Sequence, residues 1–266
     1  FGEDERNQLY FKASGSYVIS DEDFWQESLG GTFNLLKLRA SWGQAGNLTA
    51  LGAFDRFSIY NPSALTGSVS LIPSTAQGNE ELGFDAGLFD NRLGIEFSYY
   101  KQKVTDLLLP RVLAPSSGFG SRFENVGNLE NTGVEVLLRG APIRTPDFSW
   151  DVTATFSTNK NEVTSVAGGG RLTLAGSFST NYVIEGEPLG VFYRQFYARN
   201  EDGSIALDED GYPYRGTTED GESSKVIGDP NPDWFGSLIN EFTYKDFGLR
   251  VQFDAVQGYD VFNWNR

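Results

Sequence analysis

The stretch Asp246–Ala255, DFGLRVQFDA, alternates almost without fault. Phe247, Leu249, Val251, Phe253 and Ala255 are apolar, while Gly248, Arg250, Gln252 and Asp254 between them are small or polar. An extended chain sends successive side chains to opposite faces, so this period predicts a strand with one oily and one wet face. The same alternation recurs at 9–19, 35–42, 82–90, 92–100, 131–140, 148–159 and 234–244, which predicts about eight long strands. Tight turns are expected at Asp90-Asn91, around Thr145-Pro146-Asp147 and at Lys245-Asp246. Long polar connections are expected at about 43–80, 104–127 and 160–232. A short helix is expected between Asp21 and Leu29, capped by Ser20 or Asp21. Short turns alternating with long loops is the rhythm of a transmembrane β-barrel. A soluble sandwich shares the period but rarely needs three connections of that length.

The last hairpin fixes a register on paper. A two-residue loop at Lys245-Asp246 predicts Tyr244 opposite Phe247, Phe242 opposite Leu249, Leu238 opposite Phe253 and Gly236 opposite Ala255, all on one face. The other face opposes Glu241 to Arg250, Ile239 to Gln252 and Ser237 to Asp254. Asn240 is the polar intruder on the apolar face, and Gly248 could host a bulge because Lys-Asp is not a favoured turn pair. In the 84–99 hairpin, a loop at Asp90-Asn91 would oppose Asp85 to Glu96. The expected loop is therefore Asn91-Arg92, which opposes Asp85 to Ser98. Phe89, Phe148, Trp150, Phe242, Tyr244 and Phe247 gather near the tight turns, where an interfacial aromatic girdle would lie.

Composition removes whole classes of chemistry. The 266 residues contain no Cys, His or Met. Disulfides, thiolate metal sites and His-dependent serine triads are excluded within this chain. A chain beginning at Phe1 and lacking Met reads as part of a longer protein. The net charge of −15 argues against a nucleic-acid partner. Nine carboxylates against Arg215 and Lys225 in residues 201–229 read as a solvated loop. No apolar run approaches the ~20 residues of a spanning helix, which says nothing against a barrel.

No catalytic constellation stands out. Glu80-Glu81 and Glu219-Asp220 read as solvated loop charges. Asn200, Asp202, Asp208 and Asp210, with Gly203 and Gly211, invite a calcium reading of the acidic loop 200–211, but the EF-hand spacing is not met and a turn loop is the favoured reading. VAGGGR (166–171) lacks the Lys-Ser/Thr of a phosphate loop, and GDPNPDW (228–234) suits a rigid turn entering a strand. No catalytic, metal or cofactor residue is assigned, and the substrate-binding residues are unknown. The aromatics Phe119, Phe123, Tyr182, Phe192, Tyr193, Phe196, Tyr197, Tyr212 and Tyr214 in the long connections are the binding candidates, against the alternative that they pack the loops onto other protein.

Several blocks resemble one family. LKLRASWGQAGN (36–47), DNRLGIEFSYYKQKVTDLLL (90–109), NVGNLENTGVEVLL (125–138), FSWDVTATFSTNKNEV (148–163) and the segment 227–266 are similar, in order, to the SusC/RagA-type TonB-dependent transporters of Bacteroidetes. The resemblance implies an all-β, antiparallel transmembrane barrel of 22 strands with an N-terminal plug, of which residues 1–266 supply about eight strands and no plug. It implies an outer-membrane location, lipid against Phe247, Leu249, Val251 and Phe253, and a lumen beside Arg250, Gln252 and Asp254. It also implies active import of a glycan or peptide nutrient without covalent chemistry. The implied partners are a SusD-like surface lipoprotein, the TonB complex acting through the plug, and an oligosaccharide or peptide substrate, with a dimer of transporter–lipoprotein pairs left open. The alternative is a secreted, soluble all-β binding or adhesion protein; a β-rich hydrolase would need an acid–base pair that the sequence does not offer.

Overall fold

The computed structural model describes residues 9–47, 74–112, 116, 121–174 and 180–263. Eight strands form one antiparallel sheet: β1 (Lys12–Val18), β2 (Phe33–Asn47), β3 (Ser74–Leu88), β4 (Leu93–Thr105), β7 (Gly127–Arg144), β8 (Phe148–Val166), β13 (Trp234–Tyr244) and β14 (Phe247–Gln257). They pair in that order, so the sheet is open, with β1 and β14 as its edges. β7 follows β4 directly in the sheet because the hairpin of β5 (Leu108–Val112) and β6 (Ser121–Asn125) loops out between them.

The three tight turns that join neighbouring strands of this sheet fall at one end. The turns at 89–92, 145–147 and 245–246 lie there, together with the helix α1 (Asp23–Ser28) that joins β1 to β2. Neighbouring turns are tied together, with the Lys245 amide donating to Asp147 O at 2.9 Å. The helix is not capped by Ser20 or Asp21 as expected. Both are consumed in a 3₁₀ turn at Ile19–Asp21, and the cap position falls on Glu22, whose side chain makes no capping bond.

Two rows of partners show what the alternation builds. Leu36, Ala86, Ile95, Leu138, Ala154, Leu238 and Phe253 lie side by side across seven strands, and Leu38, Phe84, Phe97, Val136, Phe156, Gly236 and Ala255 form the next row on the same face. Phe84 and Phe97 stack at 5.4 Å and Trp150 stacks on Phe242 at 5.8 Å. This face has no second layer over it among the described residues: Leu82, Leu249 and Phe253 are 59, 61 and 63% exposed. A sandwich would bury these rows against a second sheet. The polar intruder Asn240 is resolved by its neighbour, whose indole Nε1 (Trp150) donates to Asn240 Oδ1 at 3.1 Å. β13 spans 11 residues. Ten rises of ~3.4 Å at a tilt of ~40° give a band of roughly 26 Å, which matches the ~25 Å apolar belt of a membrane barrel.

The expected register of the last hairpin is the one observed, from Tyr244↔Phe247 to Gly236↔Ala255. Gly248 pairs with Thr243 without a bulge, and Lys245 accommodates the turn with φ 51°. The 84–99 hairpin takes the other register. Asp85 lies opposite Glu96, not Ser98, around a four-residue turn with Phe89, Asp90 and Asn91 at φ 56°, 56° and 59°. The like charges are tolerated because cations flank both: Arg39 Nη2 and Lys37 Nζ lie 2.9 and 3.6 Å from Asp85, and Arg139 Nη1 lies 2.8 Å from Glu96. The turn itself is secured from β2, where Asn34 Oδ1 accepts the Asp90 amide at 2.6 Å. Two-strand reasoning could not see those third and fourth strands.

The long connections are also shorter and more ordered than the sequence suggested. β2 continues to Asn47 and β3 begins at Ser74, so the expected loop 43–80 shrinks from both sides. Within 160–232 a second sheet forms from β9 (Arg171–Thr173), β10 (Asn181–Ile184), β11 (Val191–Gln195) and β12 (Ser224–Gly228), in the order β12-β11-β10-β9. The buried core sits between this sheet and the wall: Val126, Leu129, Val163 and Val166 pack with Leu172 and Val183.

Candidate functional site

The face opposite the apolar rows carries charge. Lys37, Asp85 and Glu96 share one row, with Thr155, Ser237 and Asp254 further along it. Arg39 reaches across β3 to Asp85 at 3.0 Å, Glu81 at 3.5 Å and Ser98 Oγ at 3.3 Å. Gly83 makes that reach feasible, because a Cβ there would sit 3.2 Å from the Arg39 Nη2 and 2.5 Å from Phe97 O. Glu80 and Glu81, expected in a loop, lie on β3 with side chains on opposite faces, and only Glu81 joins the Arg39 network. At β13 and β14, Arg250 pairs with Glu241 at 3.5 Å.

At the end away from the tight turns this polar face becomes a ladder of amides. Tyr100 donates to Asn159 at 3.1 Å, Asn131 to Gln102 at 3.0 Å and Asn161 to Asn131 at 2.6 Å. Asn161 Oδ1 then accepts the Leu189 amide at 2.7 Å, and Asn231 Nδ2 donates to Leu189 O at 3.0 Å. The ladder thus fastens the second sheet to the wall. The segment 228–234 is architectural as expected: Asp229 accepts from the Asn231 amide at 2.9 Å, and Asp260 accepts from the Asp229 amide at 2.9 Å.

The second sheet turns Leu172 and Val183 into the core, and its pleat therefore sends their neighbours Arg171 and Tyr182 the other way. Tyr182 and Tyr193 meet there at 5.4 Å, tilted by 57°. Arg171 lies 4.4 Å over the Tyr193 ring and donates to Tyr193 Oη at 2.9 Å and to Glu222 Oε2 at 3.0 Å. The Tyr193 hydroxyl donates to the same Glu222 oxygen. The hydrogen bond from Tyr193, followed by that from Arg171, holds the Glu222 carboxyl below the usual range. Burial first, then the hydrogen bond to Glu222, raises the Tyr193 phenol. A hollow of about 550 Å³ opens over these side chains, with Gln195, Ser224 and Phe262 on its walls.

The other expected binding aromatics separate. Phe192 is buried at 8% exposure and packs on Phe262 at 5.7 Å, so it is a core residue. Phe196 lies beneath Lys225, at 4.3 Å. Tyr197, Tyr212 and Tyr214 are exposed on an array of short hairpins held by bridges at Tyr197↔Arg215, Arg199↔Ile205 and Leu207↔Pro213. Phe119 and the side chain of Phe123 lie outside the described residues.

The acidic loop proves to be turns. Glu-Asp-Gly recurs at 201–203, 209–211 and 219–221, and each glycine takes φ +83° and donates back to the residue three before it. This repeat was the readable signal for the array. Asp202 accepts from the Ser204 amide and hydroxyl at 2.9 and 2.6 Å, and Asp208 from the Asp210 and Tyr212 amides at 3.0 and 2.8 Å. The calcium candidates therefore sit in separate turns, engaged by their own backbone. Among the described residues no group of three or more acidic side chains converges. In 166–171, Gly168, Gly169 and Gly170 all take positive φ in an open turn, not a phosphate cradle.

Comparison with known proteins agrees with this geometry. The family model for the TonB dependent receptor-like β-barrel matches residues 4–265. TonB-dependent receptor P3 of Formosa agariphila is 31% identical over 98% of this chain, and P39 of the same organism 36% over 92%. TonB-dependent receptor SusC of Bacteroides thetaiotaomicron is 26% identical over 98%. The chain spans 23 to 29% of the length of these relatives. The solved RagAB peptide importer in its closed-closed state shares the fold with a TM-score of 0.77 at 24% identity, over 96% of this chain and 30% of that one. An uncovered apolar band of membrane height, a charged opposite face and a family match over nearly every residue lead to one conclusion: the chain belongs to the SusC/RagA kind of TonB-dependent receptor β-barrel, and its eight-stranded sheet is wall of an outer-membrane barrel.

Proposed function

We propose that this chain is the wall and outer part of a transporter that imports a glycan or peptide nutrient across the outer membrane. The observation that carries the reading is the two-faced sheet. Its apolar rows run from β2 to β14, while Arg39, Asp85, Glu81 and Ser98 form a charged, hydrogen-bonded surface opposite. Lipid requires every backbone group to be paired, so such a sheet works only within a closed barrel, to which the rest of the protein contributes. The plug and remaining strands belong to that rest. A SusD-like lipoprotein covers the side bearing the second sheet and the hairpin array, and TonB acts through the plug from the other side. The similar SusC is a TonB-dependent receptor and the similar RagAB is a peptide importer, which supports the reading. No covalent chemistry is needed, because import requires binding, gating and energy coupling only.

The test is the native protein in the outer-membrane fraction. Solubilised in mild detergent, it is expected to run with a mass near ~100 kDa per chain, judged from the share of its relatives that this chain covers, and to carry a lipidated companion. A chain near 29.4 kDa that stays soluble without detergent would overturn the proposal in favour of a secreted binding protein.

A further inference from the structure

We propose that the outer face of β7, at the end of the belt away from the tight turns, is a site for one lipid with a phosphoethanolamine head group. Its phosphate lies on the row Lys101–Thr132–Lys160, and its ammonium lies in an acidic hollow at the edge of β8. The inference needs the wall assignment and not the import reading, so failure of either leaves the other standing.

The register puts the row at head-group height. Lys101, Thr132 and Lys160 are successive partners across β4, β7 and β8. They follow the rows Phe97–Val136–Phe156 and Tyr99–Val134–Thr158 at steps of two residues, so all three share the apolar face. Trp234, the first residue of β13, marks the end of the belt, and its ring lies 5.8 Å from Phe156. β13 meets β8 with Phe235 opposite Ser157, which sets Trp234 level with Thr158. Lys160 stands two residues further out, roughly 5 Å at a tilt of ~40°. The polar layer on each side of a bilayer's apolar core is roughly 5–7 Å deep. Below the row, the short, half-buried Val134 and Val136 run between Phe97 and Tyr99 on β4 and Phe156 on β8. Tyr99 and Phe156 stand out as exposed ridges. The step in size leaves a shallow trough along β7, where an acyl chain gathers many small contacts.

The charges select the head group. Along this rim Lys101 pairs with Glu130 at 2.6 Å and Lys160 with Glu162 at 3.5 Å, while Glu80 lies opposite Lys101 and Lys103 opposite Glu130. Three lysines face three glutamates, so the rim as a whole carries no excess charge for an anionic lipid to neutralise. The Lys160 side chain is 80% exposed and is the ammonium placed to meet a phosphate. Beside it a hollow of about 260 Å³ reaches Thr132 and Thr158 and continues to the segment entering β13. Its charged lining among the described residues is Lys160 against Glu162, Asp229 and Asp233. A primary ammonium meets carboxylates there while the neighbouring phosphate accepts from Lys160 and the Thr132 hydroxyl. A glycerol-phosphate head group would bring a negative charge against Asp229 and Asp233. A choline head group has the positive charge but no N–H to donate.

The experiment uses the full-length protein with any lipoprotein that accompanies it, stripped of lipid in detergent. Native mass spectrometry follows its titration with phosphatidylethanolamine, phosphatidylcholine and phosphatidylglycerol of identical acyl chains. The first lipid bound is expected to be phosphatidylethanolamine, about tenfold tighter than the other two, the worth of one hydrogen bond to a charged group. Lys160→Gln should abolish that preference, Lys160→Arg should keep it, and Glu162→Gln should narrow the gap to phosphatidylglycerol. Lys245→Gln, at the opposite end of the sheet, should change nothing. Heat-modifiable gel migration checks that each variant remains a folded barrel. Equal affinity for phosphatidylcholine or phosphatidylglycerol, a preference that survives Lys160→Gln, or an equal loss in Lys245→Gln overturns the site.

Discussion

Leu238→Arg and Ser237→Arg place the same charge one residue apart on β13 and should have opposite consequences. Leu238 sits in the apolar row between Ala154 and Phe253 and is 42% exposed. Ser237 faces the other way, where its hydroxyl donates to Asp254 at 2.5 Å and Gln252 lies beside the same carboxylate. Along β13, Leu238 is six residues from Tyr244 and four from Trp234. At ~3.4 Å per residue and a tilt of ~40°, it is roughly 15 Å from the turn-side end of the belt and 10 Å from the other, close to the midplane. Arginine there should cost ~2–4 kcal/mol, and arginine at the belt's edge, as in Phe247→Arg, ~0–1 kcal/mol. Ser237→Arg should be nearly neutral, because the new guanidinium meets Asp254 in a wet environment where an exposed pair is worth ~0–1 kcal/mol. The assay is urea unfolding of the full-length protein in phospholipid vesicles, followed by heat-modifiable gel migration. Equal destabilisation by Leu238→Arg and Ser237→Arg would refute the assignment of faces, since a protein core or bulk water on both sides would treat them alike.

Three further outcomes are expected. Asn161→Ala removes the acceptor of the Leu189 amide and should loosen the junction between wall and second sheet by ~1–3 kcal/mol, seen as hydrogen exchange at Leu189 faster by about one to two decades, with the Tyr244–Phe247 hairpin unaffected. Lys245→Val puts a β-branched residue at φ 51° and should cost ~1–2 kcal/mol in the same unfolding assay, whereas Lys245→Asn should leave stability unchanged. The Glu222 carboxyl is held low by Tyr193 and Arg171, so the clasp is intact above the ordinary glutamate value near 4.3 and is lost as pH falls through the lowered folded value. Glu222→Gln removes the acceptor charge that helps raise the Tyr193 phenol, so one tyrosine should ionise at lower pH in ultraviolet difference spectra; an unchanged titration would show that the clasp does not form.

Local pattern carried much of this protein. Alternation alone located eight strands, and loop length alone set the last hairpin, pair for pair, from Tyr244↔Phe247 to Gly236↔Ala255. That hairpin is legible because a two-residue turn and a two-residue side-chain period leave one register with consistent faces. The 84–99 hairpin defeated the same reasoning because its register depends on Lys37, Arg39 and Arg139 from outside the pair, which offset Asp85 facing Glu96. The identity of the oily face's solvent was likewise outside the reach of periodicity. It follows from the absence of a covering layer over Leu82, Leu249 and Phe253 among the described residues, which is a tertiary fact. The candidate site shows the same division. Tyr182 and Tyr193 were legible as loop aromatics, but Arg171, Gln195 and Ser224 lie on three different short strands, Glu222 lies in the connection just before β12, and no spacing relates them. Sequence determines the period, the turns and the composition, because these are set by neighbours along the chain. The sheet that brings Arg171 and Glu222 within 3.0 Å across 51 residues is decided only by the packing of Leu172 and Val183 against the wall, since no local preference acts over that separation.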